Sequence, residues 1–196
     1  MKKKEIIWRE ILYQVLEKKN FKFTQKDLAQ KLKVSLSTVF NALKVPRKIG
    51  AVEVKGRFFR VTNPEKFLYL WGTVRNLKAD IIYKTHVSQS VRKAESLMPY
   101  GIIYGAYTAY RLRFKEVPAD YDKLYIYASS LTEIKKRFPP KRGVSNLIVL
   151  KKDSFLRKYG SFTPLAQTFV DLYNLPEWYA ADFYKALKEK IDGILA

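Results

Sequence analysis

The sequence predicts an α+β fold in two parts, and three observations carry that expectation. Before residue 48, apolar residues recur at helical spacing in three successive stretches. Two alternating stretches around a glycine then form a hairpin pattern. Beyond residue 79, short strand-like runs alternate with helical patterns, the order expected of an α/β domain around a small sheet. Hydrophobic residues make up 47% of the 196, ample material for packed cores.

The first helix spans residues 5–18 on Ile7, Ile11, Leu12, Val15 and Leu16, and Asn20 ends the pattern. Thr24 starts a second, shorter helix, with Asp27 placed as in a capping box and Leu28, Ala29 and Leu32 facing inward. A turn at Lys33-Val34 leads to Ser35, a good cap for a third helix that directs Leu36, Val39, Phe40 and Leu43 inward. Pro46 is expected to stop or kink that helix early, because it has no N–H to close the preceding turn. Residues 49–54 and 57–61 alternate about Lys55-Gly56 as a β-hairpin. Asn63-Pro64-Glu65 opens a linker helix over residues 63–78, with Pro at the first helical position.

In residues 79–196, strands are expected over 79–87, 101–104, 123–128 and 146–150. Ser88 caps a helix with Val91, Ala94 and Leu97 inward, and Thr163-Pro164 and Pro176-Glu177 open two late helices, the last containing Trp178, Phe183 and Leu187.

Charge sets the class of partner. The chain has 38 Lys and Arg against 18 Asp and Glu, a formal +20, which favours nucleic acid first and anionic lipid second. Residues 1–62 hold 16 of those cations and only 5 of the acids, so the first third is the more densely basic. The lack of cysteine removes disulfides, thiolate catalysis and Cys-based zinc sites, and the single His86 removes histidine clusters. No apolar run approaches the length of about eighteen residues that a membrane span needs. The basic start Met1-Lys2-Lys3-Lys4 is interrupted by Glu5, Arg9 and Glu10 where a secretion signal would be apolar, so a cytoplasmic protein is expected.

Three short helices with a tight turn between the second and third, followed by a hairpin, describe a winged helix-turn-helix domain over residues 1–62. The run FTQKDLAQKLKVSLSTVFNALKVPRKIGAVEVKGRFFRV resembles the winged-helix regulators, which implies sequence-specific binding of double-stranded DNA, with a protein-interaction module as an alternative use of the same helices. Ser37, Thr38, Asn41 and Lys44 share one side of the third helix, and Asn41 is the candidate for reading adenine. Thr24 and Gln25 at the second helix start, Ser35 at the third, and Arg47 and Lys48 at the hairpin entry are further candidates. On the wing, Lys55, Arg57 and Arg60 are expected to meet the backbone or minor groove. No cofactor is expected for this role.

The second part carries two resemblances. Gly105 before a helical stretch, then Asp120-Tyr121-Asp122 leading into a strand, looks like the nucleotidyltransferase arrangement, in which alternating carboxylates hold Mg²⁺. That makes Asp120 and Asp122, with Asp153 as a third carboxylate, the alternative metal site of an Mg²⁺-dependent enzyme. The sequence departs from the family in its single glycine and in Lys123 beside the pair. Over most of the chain, YGAYTAYRLRF, DKLYIYAS and TPLAQTFVDLYNLPEWYAADFYKAL resemble the AbiEi-type antitoxins of prokaryotic toxin–antitoxin systems. This resemblance implies a repressor whose domain over 79–196 mediates homodimerisation or contact with a cognate toxin.

Three smaller features have plainer expectations. Tyr100, Tyr104, Tyr107 and Tyr110 fall at helix-like spacing and are expected to line a core or interface. Lys135-Lys136-Arg137 and Lys141-Arg142 flank Phe138-Pro139-Pro140, as a solvated basic loop or a second phosphate-contact patch. His86 is expected to be structural.

Overall fold

Helix α1 (Lys3–Lys18) opens a computed structural model that describes residues 1–196 as an α+β chain of nine α-helices and two small sheets. Its apolar positions Ile7, Ile11, Leu12, Val15 and Leu16 are buried, and it packs on α3 (Leu36–Lys48). Between them lies α2 (Gln25–Leu32), capped as expected: the Asp27 N–H donates to Thr24 Oγ1 at 3.1 Å. Lys33 ends α2 in the left-handed region at φ 50°, turning the chain into α3.

Pro46 does not stop α3, which continues through it to Lys48. The reason lies on the neighbouring helix. A proline at 46 leaves the Ala42 carbonyl without its helical donor. The buried Trp8 indole N–H on α1 donates to that carbonyl at 2.7 Å. The buried proline ring fits the helix because its missing bond is supplied from outside. Gly50, at φ 74°, then closes α3: its N–H donates to Arg47 and the Ala51 N–H to Pro46, both carbonyls of the last turn.

The inward face of α3 also differs from expectation. Val39, Ala42, Leu43 and Pro46 form the buried stripe, while Leu36 and Phe40 are 55% and 44% exposed. Residues 39, 42, 43 and 46 keep the i, i+3, i+4, i+7 spacing of one face, and Phe40 lies about 100° round from Val39.

Strands β2 (Val52–Lys55) and β3 (Phe58–Val61) form the expected hairpin, with the two-residue loop at Gly56-Arg57 rather than Lys55-Gly56. Gly56 sits at φ 57° in the first loop position, where glycine is favoured in a tight hairpin. A two-residue strand, β1 (Lys22–Phe23), joins the far side of β3 and completes a sheet of order β1-β3-β2. Phe23 stacks on Phe59 at 5.3 Å across that pairing. No alternation announces so short a strand.

Helix α4 (Pro64–Val74) begins at Asn63, whose side chain accepts from the Lys66 N–H at 2.8 Å. The second sheet takes β4 (Ile81–Thr85), β5 (Ile103–Tyr104), β6 (Leu124–Ala128) and β7 (Leu147–Lys151) in the order β4-β7-β6-β5, with only β6 and β7 parallel. Leu124, Ile126, Leu147 and Val149 face one side and are covered by α5 (Val91–Ser96) and α7 (Thr132–Arg137). Ser90, not Ser88, caps α5, and Leu97 is 37% exposed because α5 ends one residue before it.

Tyr125, Tyr127, Ile148 and Leu150 face the other side, toward α6 (Ala106–Phe114), α8 (Leu165–Tyr173) and α9 (Ala180–Leu195). That second layer merges with the interior of α1 to α4 into one core of 40 buried residues. Helix α1 is its axle, packing on α3, α4, α8 and α9. No helix of the chain is long and apolar enough to cross a membrane.

Candidate nucleic-acid interface

The exposed side of α3 is built by subtraction. Once Val39, Ala42, Leu43 and Pro46 turn inward, Ser37, Asn41, Lys44 and Lys48 line the outside at i, i+4, i+7 and i+11. Phe40 and Lys44 sit beside them, the ammonium 5.4 Å from the ring centre. Arg47 is exposed as well. Neither α3 nor its cap contains an acid, so nothing on this helix offsets its cations.

The start of α3 is organised by its cap. Ser35 Oγ accepts from the Thr38 N–H at 3.2 Å and lies 2.9 Å from Ser37 Oγ and 2.8 Å from Thr38 Oγ1. Ser35 and half-buried Thr38 are thereby tied into the helix end, while Ser37 and Asn41 remain exposed. Thr24 is likewise half-buried and engaged as the cap of α2, with Gln25 next to it. The first turn of α3 contains no acid, so the positive end of its dipole favours an anion there, whereas the first turn of α2 already holds Asp27.

On the hairpin, Arg57 occupies the turn, and Lys55 and Arg60 are exposed on the flanking strands. Lys55 meets Glu53 at 3.3 Å, a fully solvated pair that leaves the cation available. Lys22, opposite Arg60 across β1 and β3, lies 3.9 Å from the Phe58 ring centre. A shallow groove over this sheet is lined by Lys19, Lys22, Lys55 and Arg60, with Glu53 as its single acid. Lys22 was not among the residues expected from sequence, because its strand was not visible there.

Two of the five acids of residues 1–62 lie inside the molecule. Glu10 is fully buried and receives Lys31 at 2.7 Å, Lys158 at 2.6 Å and the Tyr159 hydroxyl at 2.6 Å. Burial alone would raise its carboxyl, but these three donors hold it below the usual carboxylate range. Glu5 accepts from the Trp71 indole at 3.3 Å and lies 3.6 Å from Arg75. Turning Glu5 and Glu10 inward leaves the surface of the first part more positive than its composition.

Asp120 and Asp122 border one shallow pocket with Trp178 and Tyr179, and Asp153 does not join them in one group. Asp153 is held by Arg9 at 2.6 and 2.7 Å, a bidentate pair between α1 and the segment after β7. Asp122 accepts from the Tyr179 hydroxyl, and Lys123 pairs with Glu177 at 2.7 Å. No group of three or more acids and histidines is placed to hold a metal ion. Gly105 has a packing role: a Cβ there would lie 3.0 Å from the Tyr127 ring. Tyr107 and Tyr110 are buried in the core, whereas Tyr100 is 94% exposed. His86 Nδ1 lies 3.0 Å from the Val144 carbonyl oxygen. Comparison with protein-family models, curated proteins and solved structures found no match.

Proposed function

We propose that residues 1–62 are a winged helix-turn-helix that binds double-stranded DNA and reads its sequence with α3. The observation that carries this reading is the acid-free outer face of α3. There Ser37, Asn41 and Lys44 stand exposed next to a hairpin bearing Lys55, Arg57 and Arg60. Asn41 has the donor–acceptor pair that recognises an adenine edge, and Phe40 offers an apolar contact for a thymine methyl. The cations supply phosphate contacts that position the helix without reading bases. Arg57, at the hairpin turn, is the residue furthest along the wing toward a backbone or minor groove.

The biological role we infer is a transcriptional repressor of the antitoxin type, with residues 79–196 contacting a second copy or a cognate toxin. The antitoxin-like segments of α6, β6 and α8–α9 support this extension.

Selection from a random duplex library with the full chain tests the DNA reading. Bound fragments are expected to converge on one motif, and Asn41→Ala is expected to lose the preference at an adenine position. Recovery of unselected, random fragments by the wild-type chain would refute sequence-specific recognition.

A further inference from the structure

The second part of the chain gathers its own unanswered cations. Arg92 and Lys93 on α5 are exposed. So are Lys135, Lys136 and Arg137 on α7. The loop that follows adds Lys141 and Arg142. Residues 81–94 contain no acid and residues 132–146 contain only Glu133. None of these seven cations takes part in an ion pair. Together with Glu133 they amount to +6 of the +9 carried by residues 63–196.

Folding brings the two segments together and fixes them. The Tyr83 hydroxyl donates to the Phe138 carbonyl at 2.7 Å and Thr85 to Pro139 at 3.0 Å. Asn146 makes two bonds with the Val87 backbone, at 2.7 and 2.8 Å. Arg137 reaches the Leu97 carbonyl at 2.9 Å, and the Lys135 ammonium lies 5.6 Å from the Tyr83 ring centre. Helices α5 and α7 both pack on the same face of the second sheet, the face turned away from the core shared with α1 and α3. The cluster therefore lies on the far side of that sheet from α3.

We propose that this α5–α7 platform binds the phosphate backbone of a second DNA duplex, so that one molecule bridges two duplex segments. The inference rests on the reading of α3 as a DNA-binding helix. A platform of lysines and arginines on short helices and a loop matches backbone contact rather than base reading. A lipid surface is held more strongly where apolar anchors accompany the cations, and in these segments Val144 is the one large apolar side chain more than half exposed.

The test uses the full chain, a bead-bound duplex carrying the α3 motif, and a fluorescent duplex of unrelated sequence. The variant Arg92→Glu/Lys136→Glu/Arg142→Glu reverses three exposed side chains, and its thermal unfolding is compared with wild type. Wild type is expected to capture the second duplex, and the variant to lose about tenfold of that capture while keeping its affinity for the first. Equal capture by wild type and variant, or capture of anionic phosphatidylserine vesicles in preference to duplex, would overturn the proposal. A wild-type chain that binds one duplex and captures no second overturns this inference alone. A chain that binds no duplex overturns the α3 reading and this one with it.

Discussion

Helices α1 and α3 pack on each other and dispose of their side chains in opposite ways. Helix α1 hides charge: Glu5, Arg9 and Glu10 are no more than 3% exposed, each answered by a residue from another element. Helix α3 shows apolar surface: Leu36, Phe40 and Val45 are 44–55% exposed, next to cations that no acid answers. Charge is inside where a helix is clamped to the rest of the molecule, and apolar surface is outside where a helix has an open side. The contrast separates a residue's chemistry from its location, and each helix is legible only through what it faces.

The largest effect is expected where α1 is clamped. Arg9→Ala strands Asp153 and Gln167, both partnered by the same guanidinium, and is expected to cost about 3–5 kcal/mol in denaturant unfolding. Were the loss below about 1 kcal/mol, the pair would be a bystander and the clamp would lie in the surrounding apolar core.

Next comes the joint between the two helices. Trp8→Phe leaves the Ala42 carbonyl without the indole donor, at an expected cost of about 1–3 kcal/mol. Pro46→Ala restores the helical N–H, so in the double variant the Trp8 substitution is expected to cost less. A double-mutant cycle showing simple additivity would mean that the indole bond does not compensate the proline.

Acid is expected to act on α1 and spare α3. Burial opposes ionisation of Glu10 and Asp153, yet their cationic partners hold both carboxyls below the ordinary range near 4. Their stabilisation is therefore complete above about pH 4 and is lost as pH falls through the lowered values. Urea midpoints measured between about pH 2 and 7 should fall on the acid side, and Glu10→Gln should flatten that fall. An acid limb unchanged in the variant would assign the loss to other carboxylates.

The smallest effect on stability is expected on the open face. Asn41→Ala and Arg57→Ala remove exposed side chains that bond to no other residue and should stay within about 0.5 kcal/mol of wild type. A larger loss would give these residues a structural role and weaken their assignment to a partner.

The same contrast explains what was legible in the sequence. Thr24, Ser35 and Asn63 all cap the helices they were expected to cap, because a cap is decided within about three residues. The α+β class and the hairpin follow from local periodicity in the same way. The continuation of α3 through Pro46 was illegible, because its rescuer is an indole on another helix. The Arg9–Asp153 pair joins positions 144 residues apart, a distance over which pattern carries no information. Leu36 and Phe40 were assigned inward because they are apolar, and only the docking of α1 shows which stripe of α3 is covered. The place of Lys22 is not legible because a two-residue strand has no period. For the interface, Ser37, Asn41, Lys44 and the hairpin cations were legible from helical spacing and charge. The α5–α7 platform was half legible, as the run around Lys135–Arg142 without its α5 counterpart.

The most direct measurement of the central claim is the affinity of the full chain for the selected duplex and for a scrambled one, across a salt series, in wild type, Asn41→Ala and Arg57→Ala. Asn41→Ala is expected to lose about tenfold on the selected duplex alone and to keep the wild-type salt slope. Arg57→Ala is expected to weaken both duplexes alike and to reduce the slope by about one. Wild-type affinity for the selected duplex in both variants would contradict a reading of α3 and the hairpin as the DNA-binding surface.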